Sequence, residues 1–338
     1  TLTFTKGTSE RPFAEDHCAP FRSVNAATIK NLKVTGNIYS FKKYAAGLVA
    51  RSNGITNISS CVVGTVIHSG ITGDGTHGGI IGHPFGPLTI SECVYNGRLL
   101  TNNGTTKCGG FVGWYNGNDV TVNNSLYAPN TSITPAAGET DITDGATFVR
   151  GGNINEYCYY TQALGDANAQ GIQVFATRPS NEVCIQAQAL DGNMYYHPCT
   201  VSGVEATYEL EDHPEITLNV TGLNGVLTLN EHYTATLNGA AVQQNTINIT
   251  AGGYYTLILT GIPDDYTGSK QITFIVTHDL PGTGTEEDPY LISSAANWNQ
   301  FAVNVASGMD YSGKYVKLDA NINVTSMVGT SEHPFKDD

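Results

Sequence analysis

Positive charge is scarce in this chain: 16 Lys and Arg stand against 30 Asp and Glu, for a formal net charge of −14. Phosphate contacts need clustered cations, so this balance argues against nucleic-acid binding and for an acidic, solvated exterior. Long apolar runs are missing too. No segment approaches the roughly 18 apolar residues of a membrane-spanning helix, and no basic stretch followed by an apolar one opens the sequence. Any export signal is expected outside it. The seven cysteines (Cys18, Cys61, Cys93, Cys108, Cys158, Cys184, Cys199) include no CxxC spacing, which argues against a zinc site. Their odd number leaves at least one thiol unpaired within the chain, and Cys184 with Cys199 is the favoured disulfide pair.

Glycine is plentiful, at 38 residues, with Asn, Thr, Ile, Val and Tyr abundant and Leu, Lys, Arg and Glu few. That profile predicts many short strands separated by turns. Residues 7–13, GTSERPF, recur as GTSEHPF at 329–335. The expectation is a repeat opened in mid-period, so that the chain is one unit of something longer.

Aligning residues 28–36, 57–64, 89–97, 121–129 and 153–160 puts Ile29, Ile58, Ile90, Val122 and Ile154 in one column, with steps of 29, 32, 32 and 32 residues. A second register follows: AAGLVA (45–50), GGIIG (78–82), GGFVG (109–113) and a degraded ATFVR (146–150). Self-similarity at such a period predicts a solenoid, in which no repeat buries its apolar face alone. Apolar residues alternate with polar ones, as in Ile90-Ser91-Glu92-Cys93-Val94-Tyr95, and glycine pairs allow tight turns and close coil approach. A parallel β-helix, with coils of two to three strands, satisfies the pattern. Stacking the coils puts Cys61 and Cys93 on one ladder with Leu32 and Ser125, read as buried reduced thiols with a disulfide along the stack as the alternative.

The GGxxG starts followed by NISxC-type strands resemble the GLUG-motif repeats of large surface and secreted proteins of gut and oral bacteria, over about 27–160. The resemblance implies a right-handed parallel β-helix in an adhesin-like extracellular protein. Ala146-Thr147 and Arg150 depart from the glycine pattern, as a terminal coil would.

From about 201 the texture changes to successive period-2 strands with turn signals at Asn224-Gly225, Asn238-Gly239, Gly252-Gly253 and Pro263-Asp264-Asp265. A small antiparallel β-sandwich is expected. Residues 253–276 are similar to the closing strands of bacterial immunoglobulin-like modules that end in a YTGS turn, which implies a spacer. Between the halves, 161–200 reads as connecting strands. After His278, the stretch 294–307 is the one expected helix: Ser294 is its N-cap, Trp298, Phe301, Ala302 and Val305 its apolar stripe, and Gly308 its stop. The segment 281–338 resembles the opening of GLUG-type β-helices, where GTxExPYLI, a helix and YxGKYVKL precede the first coils. The expected fold class is therefore all-β: a β-helix over 1–160, connecting strands over 161–200, an immunoglobulin-like sandwich over 201–280, and an opening or capping segment over 281–338. Because that segment here follows the coils, it is expected to complete the β-helix of a following copy, with Gly7, Pro12, Phe13, Gly329, Pro334, Phe335, Trp298 and Phe301 at the junction.

Catalysis gains little support. Glycoside cleavage needs two carboxylates about 5–10 Å apart, and Asp74, Glu92 and Asp119 fall at unlike points of their periods. Arg51, Arg98 and Lys107 are isolated. His68, His77 and His83 share one coil but lie in turn-like contexts, so loop histidines exposed to water are expected rather than a metal or acid–base site. Glu286-Glu287-Asp288 lacks a calcium-loop spacing. Trp114, Tyr115, Tyr39 and Tyr44 fall on turn sides and are the candidates for glycan stacking. The expected function is that of a non-enzymatic extracellular protein of the bacterial cell surface, structural or adhesive, without cofactor. Its expected partners are other copies of itself, adjacent repeats, or host and environmental glycans and proteins. A carbohydrate-binding or lyase-like β-helix is the alternative.

Overall fold

The computed structural model describes all residues except 104–106, 116, 118, 153, 155–156, 166–169, 213 and 325–338. The chain forms two compact units, Thr1–Thr177 with Ala187–Tyr196, and Arg178–Gln186 with His197–Asp338.

The first unit is a β-solenoid of about five turns. Each turn visits three faces. Face B carries Phe21–Asn25, Val49–Asn53 and Ile81–Pro84, and face C carries Thr28–Lys30, Thr56–Ser59, Leu88–Ser91 and Val120–Asn123. Face A carries Leu2–Thr3, Lys33–Ser40, Val62–Ser69, Val94–Tyr95 with Arg98–Thr101, Leu126–Tyr127, Tyr159–Tyr160 and Ile172–Gln173. The expected column exists as far as Val122: Ile29 pairs with Ile58, Ile58 with Ile90 and Ile90 with Val122, all in parallel, while Ile154 packs against the core outside any strand. The glycine register also stacks, through Ala46 to Gly78 to Gly109 and through Ile81 to Val112 to Val149.

Side chains pointing inward fill the coil. Val34, Val63, Tyr95 and Tyr127 succeed one another on face A, the last two rings stacked at 5.8 Å. Phe111 and Phe148 form a second aromatic step, 4.8 Å apart. Glycine is required where the aromatics meet the backbone: a Cβ on Gly79 would lie 2.0 Å from the Gly110 carbonyl oxygen and 2.8 Å from the Tyr95 ring.

The corners were less legible. Between faces C and A, successive turns place Asn31, Ser60, Glu92, Asn124 and Tyr157 at φ of 56°, 51°, 52°, 45° and 65°. Only two of these are residues that readily adopt the left-handed region. Stacking on the neighbouring coils holds the others there, so the corner is set by the solenoid rather than by local turn chemistry.

The early coils carry a strand on each of three faces, the upper end of the two to three expected. Val62–Ser69 is buried along nearly its whole length, because both sides of face A are covered, which erases the period-2 signal. Tyr195 and Val174 lie over the outward side chains of Val62, Val94 and Leu126. The loop 129–141 folds back so that Thr140–Asp141 pairs antiparallel with Leu100 and Thr101.

In the second unit, a five-stranded sheet has Thr207–Glu209, Ser269–Thr277, Gly253–Gly261, Tyr233–Leu237 and Ala240–Ala241 in that order. A three-stranded sheet, with Thr200–Ser202, Asn219–Gly222 and Gly225–Val226, contributes Val220 to the same core as Leu257, Leu259, Phe274 and Val276. Asn238 (φ 47°) and Gly239 (φ 82°) make the two-residue turn that the Asn-Gly dipeptide predicts. The helix runs Ala295–Ala306, and the Ser294 hydroxyl accepts from the Asn297 amide, as expected of an N-cap. It packs on Gly253–Gly261 and Ser269–Thr277. Its buried face is not the expected stripe. Gln300, Ala302, Val303 and Asn304 are buried, while Trp298, Phe301 and Val305 are half-buried. Burial of Asn304 is tolerated because its amide donates to the His278 carbonyl and the Tyr311 hydroxyl.

Replacing Gly79 by Ala forces two stacked coils apart at a backbone contact and is expected to cost about 3 kcal/mol or more. Urea unfolding followed by far-UV circular dichroism measures the loss.

Candidate functional site

The three histidines of one coil, expected in water-exposed loops, are all buried, because His68 and His83 lie on strands that are covered and His77 points into the coil, and they go to three different environments. His77 lies wholly inside the solenoid: its Nδ1 accepts from the Ala45 amide at 3.1 Å, which leaves Nε2–H to donate to the Ser69 hydroxyl at 2.8 Å. Accepting from Ala45 needs an unprotonated Nδ1, hence the neutral ring, and burial lowers its pKa to about 4. His68 is on the outer side of face A, stacked on Tyr39 at 4.0 Å, with its Nδ1 2.9 Å from Glu139 Oε1 in the folded-back loop. That contact, together with the paired hydrogen bonds from Arg98 to the Asp141 carboxylate at 2.7 Å, pins the loop down.

His83 joins a cluster of rings on face B. It lies 4.4 Å from Tyr44 and 3.9 Å from Phe85, and His17 lies 4.8 Å from Tyr44. Arg51 sits 4.2 Å over the Phe85 ring. Burial, with His17 and Arg51 nearby, lowers the His83 pKa to about 4. Tyr39 and Tyr44, expected as glycan platforms, are therefore each in ring contact with protein side chains.

Trp114 and Tyr115 stand at a third place. The Arg150 guanidinium lies 4.8 Å over Trp114 and its Nη1 donates to Asp74 Oδ1 at 2.5 Å, while Lys43 Nζ is 3.9 Å from Asp74 Oδ2. Tyr115 lines a cavity of about 640 Å³ with Lys107, Asp144 and Arg150. The sequence picked out the two aromatics; Arg150 and Lys43 come from other coils, Lys107 precedes the aromatics on their own coil, and none was read with them. Of the other carboxylates weighed for catalysis, Glu92 accepts from the Ser60 hydroxyl at 2.9 Å and Asp119 gives its carbonyl to the Leu88 amide. Among the described residues, no three His, Cys, Asp or Glu side chains gather as a metal-binding group. No helix among the described residues is long and apolar enough to cross a membrane.

The first GTSERPF copy is a loop bulging from the first rung of face A. Lys6 and Phe13 both pair with the neighbouring strand, the Phe13 amide donating to the Tyr39 carbonyl at 2.7 Å, and Thr8 and Arg11 close the loop between them. Gly7 has φ of 74°, and a Cβ there would sit 2.8 Å from both the Phe13 nitrogen and the Tyr39 oxygen. Pro12 leads into the paired Phe13. Gly329, Pro334 and Phe335 lie outside the described residues. Trp298 and Phe301, the remaining junction candidates, are 6.1 Å apart, and Phe301 meets Tyr311 edge-on at 5.0 Å. Beside them, Tyr290–Ile292 pairs in parallel with Val316–Leu318. Val316, Lys317 and Leu318 are all exposed, Leu318 at 61%.

All seven cysteines are buried free thiols, including Cys184 and Cys199, the pair favoured for a disulfide. Leu32, Cys61, Cys93 and Ser125 do form one ladder, and Cys158 continues it beside Ser125. The neighbouring Cys61 thiol, with burial, pushes the Cys93 thiol up, while Cys93 in turn brings Cys61 down to about 7. Burial pushes Cys18, Cys158 and Cys199 up to about 11 and Cys108 up to about 12. Cys61 is the exception in pKa but is fully buried, and thiols shut away from water and reagent do not act as nucleophiles.

Two outcomes follow from these environments. The folded-state pKa of His77 is depressed, so its contribution is present above the ordinary value of about 6.5 and is lost as pH falls toward about 4. The loss amounts to about 3 kcal/mol. Thermal melts across this window are expected to show the decline, and His77→Gln, which preserves an acceptor and a donor, reduces it, with the remainder due to His83. A chromogenic disulfide reagent is expected to find less than one reactive thiol in the native protein and all seven after denaturation.

No family model matches the chain, and neither a curated protein nor a solved structure does.

Proposed function

We propose that this is a non-enzymatic, extracellular protein of the bacterial surface with a structural or adhesive role. In this reading its solenoid is of the GLUG type and its second unit is an immunoglobulin-like spacer. The protein is one unit of a tandem array or head-to-tail filament, and residues 281–338 complete the solenoid of the next copy.

The observation that carries the reading is the parallel pair of Tyr290–Ile292 and Val316–Leu318. Parallel strands are ordinarily buried within larger sheets, and a two-stranded piece is marginal alone. Here the outer strand shows apolar Val316 and Leu318 to solvent, and its second edge is unpaired among the described residues. Such an edge is a template for another parallel strand. The first solenoid coil offers the complement, since Leu2–Thr3, Phe21–Asn25 and Thr28–Lys30 are end strands of their sheets with mostly exposed residues. The occupant is a second copy because the chain after Val316–Leu318 carries the same seven-residue signature as that coil. The spacer role rests on the Tyr266–Thr267 strand and Gly268 at φ of 81°, which form the YTGS turn before Ser269–Thr277.

Light scattering across a concentration series, with electron microscopy of the most concentrated sample, tests the assembly. Concentration-dependent growth is expected, and Val316→Lys with Leu318→Lys is expected to abolish it while leaving the melting temperature nearly unchanged, because both side chains are exposed. A strict monomer at every concentration, from a gene that encodes one copy only, sinks the assembly. Measurable turnover of a glycan substrate sinks the non-enzymatic role.

A further inference from the structure

The cavity of about 640 Å³ in the first unit lies within the roughly 300–1,000 Å³ typical of small-ligand sites. Its walls are of two kinds. Tyr115, Val120 and Val149 supply ring and aliphatic surface, and Lys107, Asp144 and Arg150 supply charge. Cys108 pairs with Gly145, so Lys107 and Asp144 directly precede two residues on adjacent rungs. No ion pair or hydrogen bond to either side chain is present among the described residues, and the two do not pair with each other. An ammonium and a carboxylate with no partner among the described residues thus stand at one opening.

Arg150 is held differently. Its bond to Asp74 and its seat over Trp114 fix the guanidinium at both ends, so its remaining N–H groups are presented by an ordered fork. The cavity wall is also fixed. The Gln170 side chain acts as a peptide group at the last rung of face B: Oε1 accepts from the Phe148 and Val149 amides at 2.9 and 2.8 Å, and Nε2 donates to the Val149 and Gly152 carbonyls at 3.2 and 2.8 Å. Gly152 lies under Tyr115, where a Cβ would be 3.1 Å from the ring.

We propose that this cleft binds a carboxylated sugar, the uronic or sialic type of residue found in acidic glycans. Lys107 and Arg150 take the carboxylate, Asp144 accepts from ring hydroxyls, and Tyr115 packs against the C–H face of the sugar. A neutral sugar would leave the ammonium without a partner. A simple carboxylate would leave Asp144 and Tyr115 unused. In a chain of net charge −14, an anionic ligand is retained by fixed short-range contacts rather than by the overall field. Binding requires no assembly of copies and stands apart from it.

The chain has two tryptophans, so Trp298→Phe leaves Trp114, under Arg150, as the single reporter. The full chain carrying that change is titrated with galacturonate, glucuronate and N-acetylneuraminate, and with glucose and acetate as controls. A saturable change in Trp114 emission is expected for at least one acidic sugar, with Kd on the order of 1 mM or tighter, and weaker or no response for the controls. Lys107→Gln, at an exposed position, is expected to weaken binding about tenfold, or about 1.4 kcal/mol. The proposal is overturned if no acidic sugar saturates, if glucose or acetate binds as tightly, or if Lys107→Gln binds unchanged.

Discussion

The parallel hydrogen bonds that join each coil to the next, together with the close approach they demand, govern the first unit. A single coil has no interior of its own, so Ile58, Val63 and Ile80 are buried only because coils lie above and below them. The spacing that makes those bonds leaves no room for a Cβ at Gly79 or Gly110, where the neighbouring carbonyl oxygens would be 2.0 Å away. It also holds Ser60, Glu92 and Tyr157 in a left-handed conformation that they rarely choose, at about 1 kcal/mol or more each.

Face A shows what covering a solenoid requires. Its outer side is closed by Tyr195 and by a loop that Glu139 and Asp141 fasten to His68 and Arg98. Two polar side chains near the core are matched on both of their polar atoms. His77 bridges Ala45 and Ser69, and Gln170 supplies the last rung of face B with the peptide group it would otherwise lack. An unmatched group at either place would cost about 1–3 kcal/mol.

Much of the solenoid could be read from the residues because its signals are local and repeated. The isoleucine column, the glycine register and the thiol ladder each recur in phase, and the helix announced itself through Ser294 and Gly308. What escaped depends on contacts between distant residues. Covering both sides of face A removed the alternation in Val62–Ser69. On the helix, Gln300 and Asn304 occupy the buried side because Gly252, His278 and Tyr311 receive them, which composition alone does not reveal. Trp114 and Tyr115 drew notice as aromatics, whereas the charges beside them come from Lys107, Asp144 and Arg150, and only folding assembles that group.

The loop 129–141 leaves the solenoid at a corner and returns without disturbing the rungs on either side, since Leu126–Tyr127 still pairs with Tyr159–Tyr160 in register. Coils are thus interchangeable in sequence terms: each is a segment of about 32 residues that begins and ends at the same point of the cross-section. Gene duplication of one such segment would lengthen the stack while leaving every existing contact but one interface intact, and insertions at corners would vary the surface separately. Length and surface chemistry are therefore inherited as independent traits.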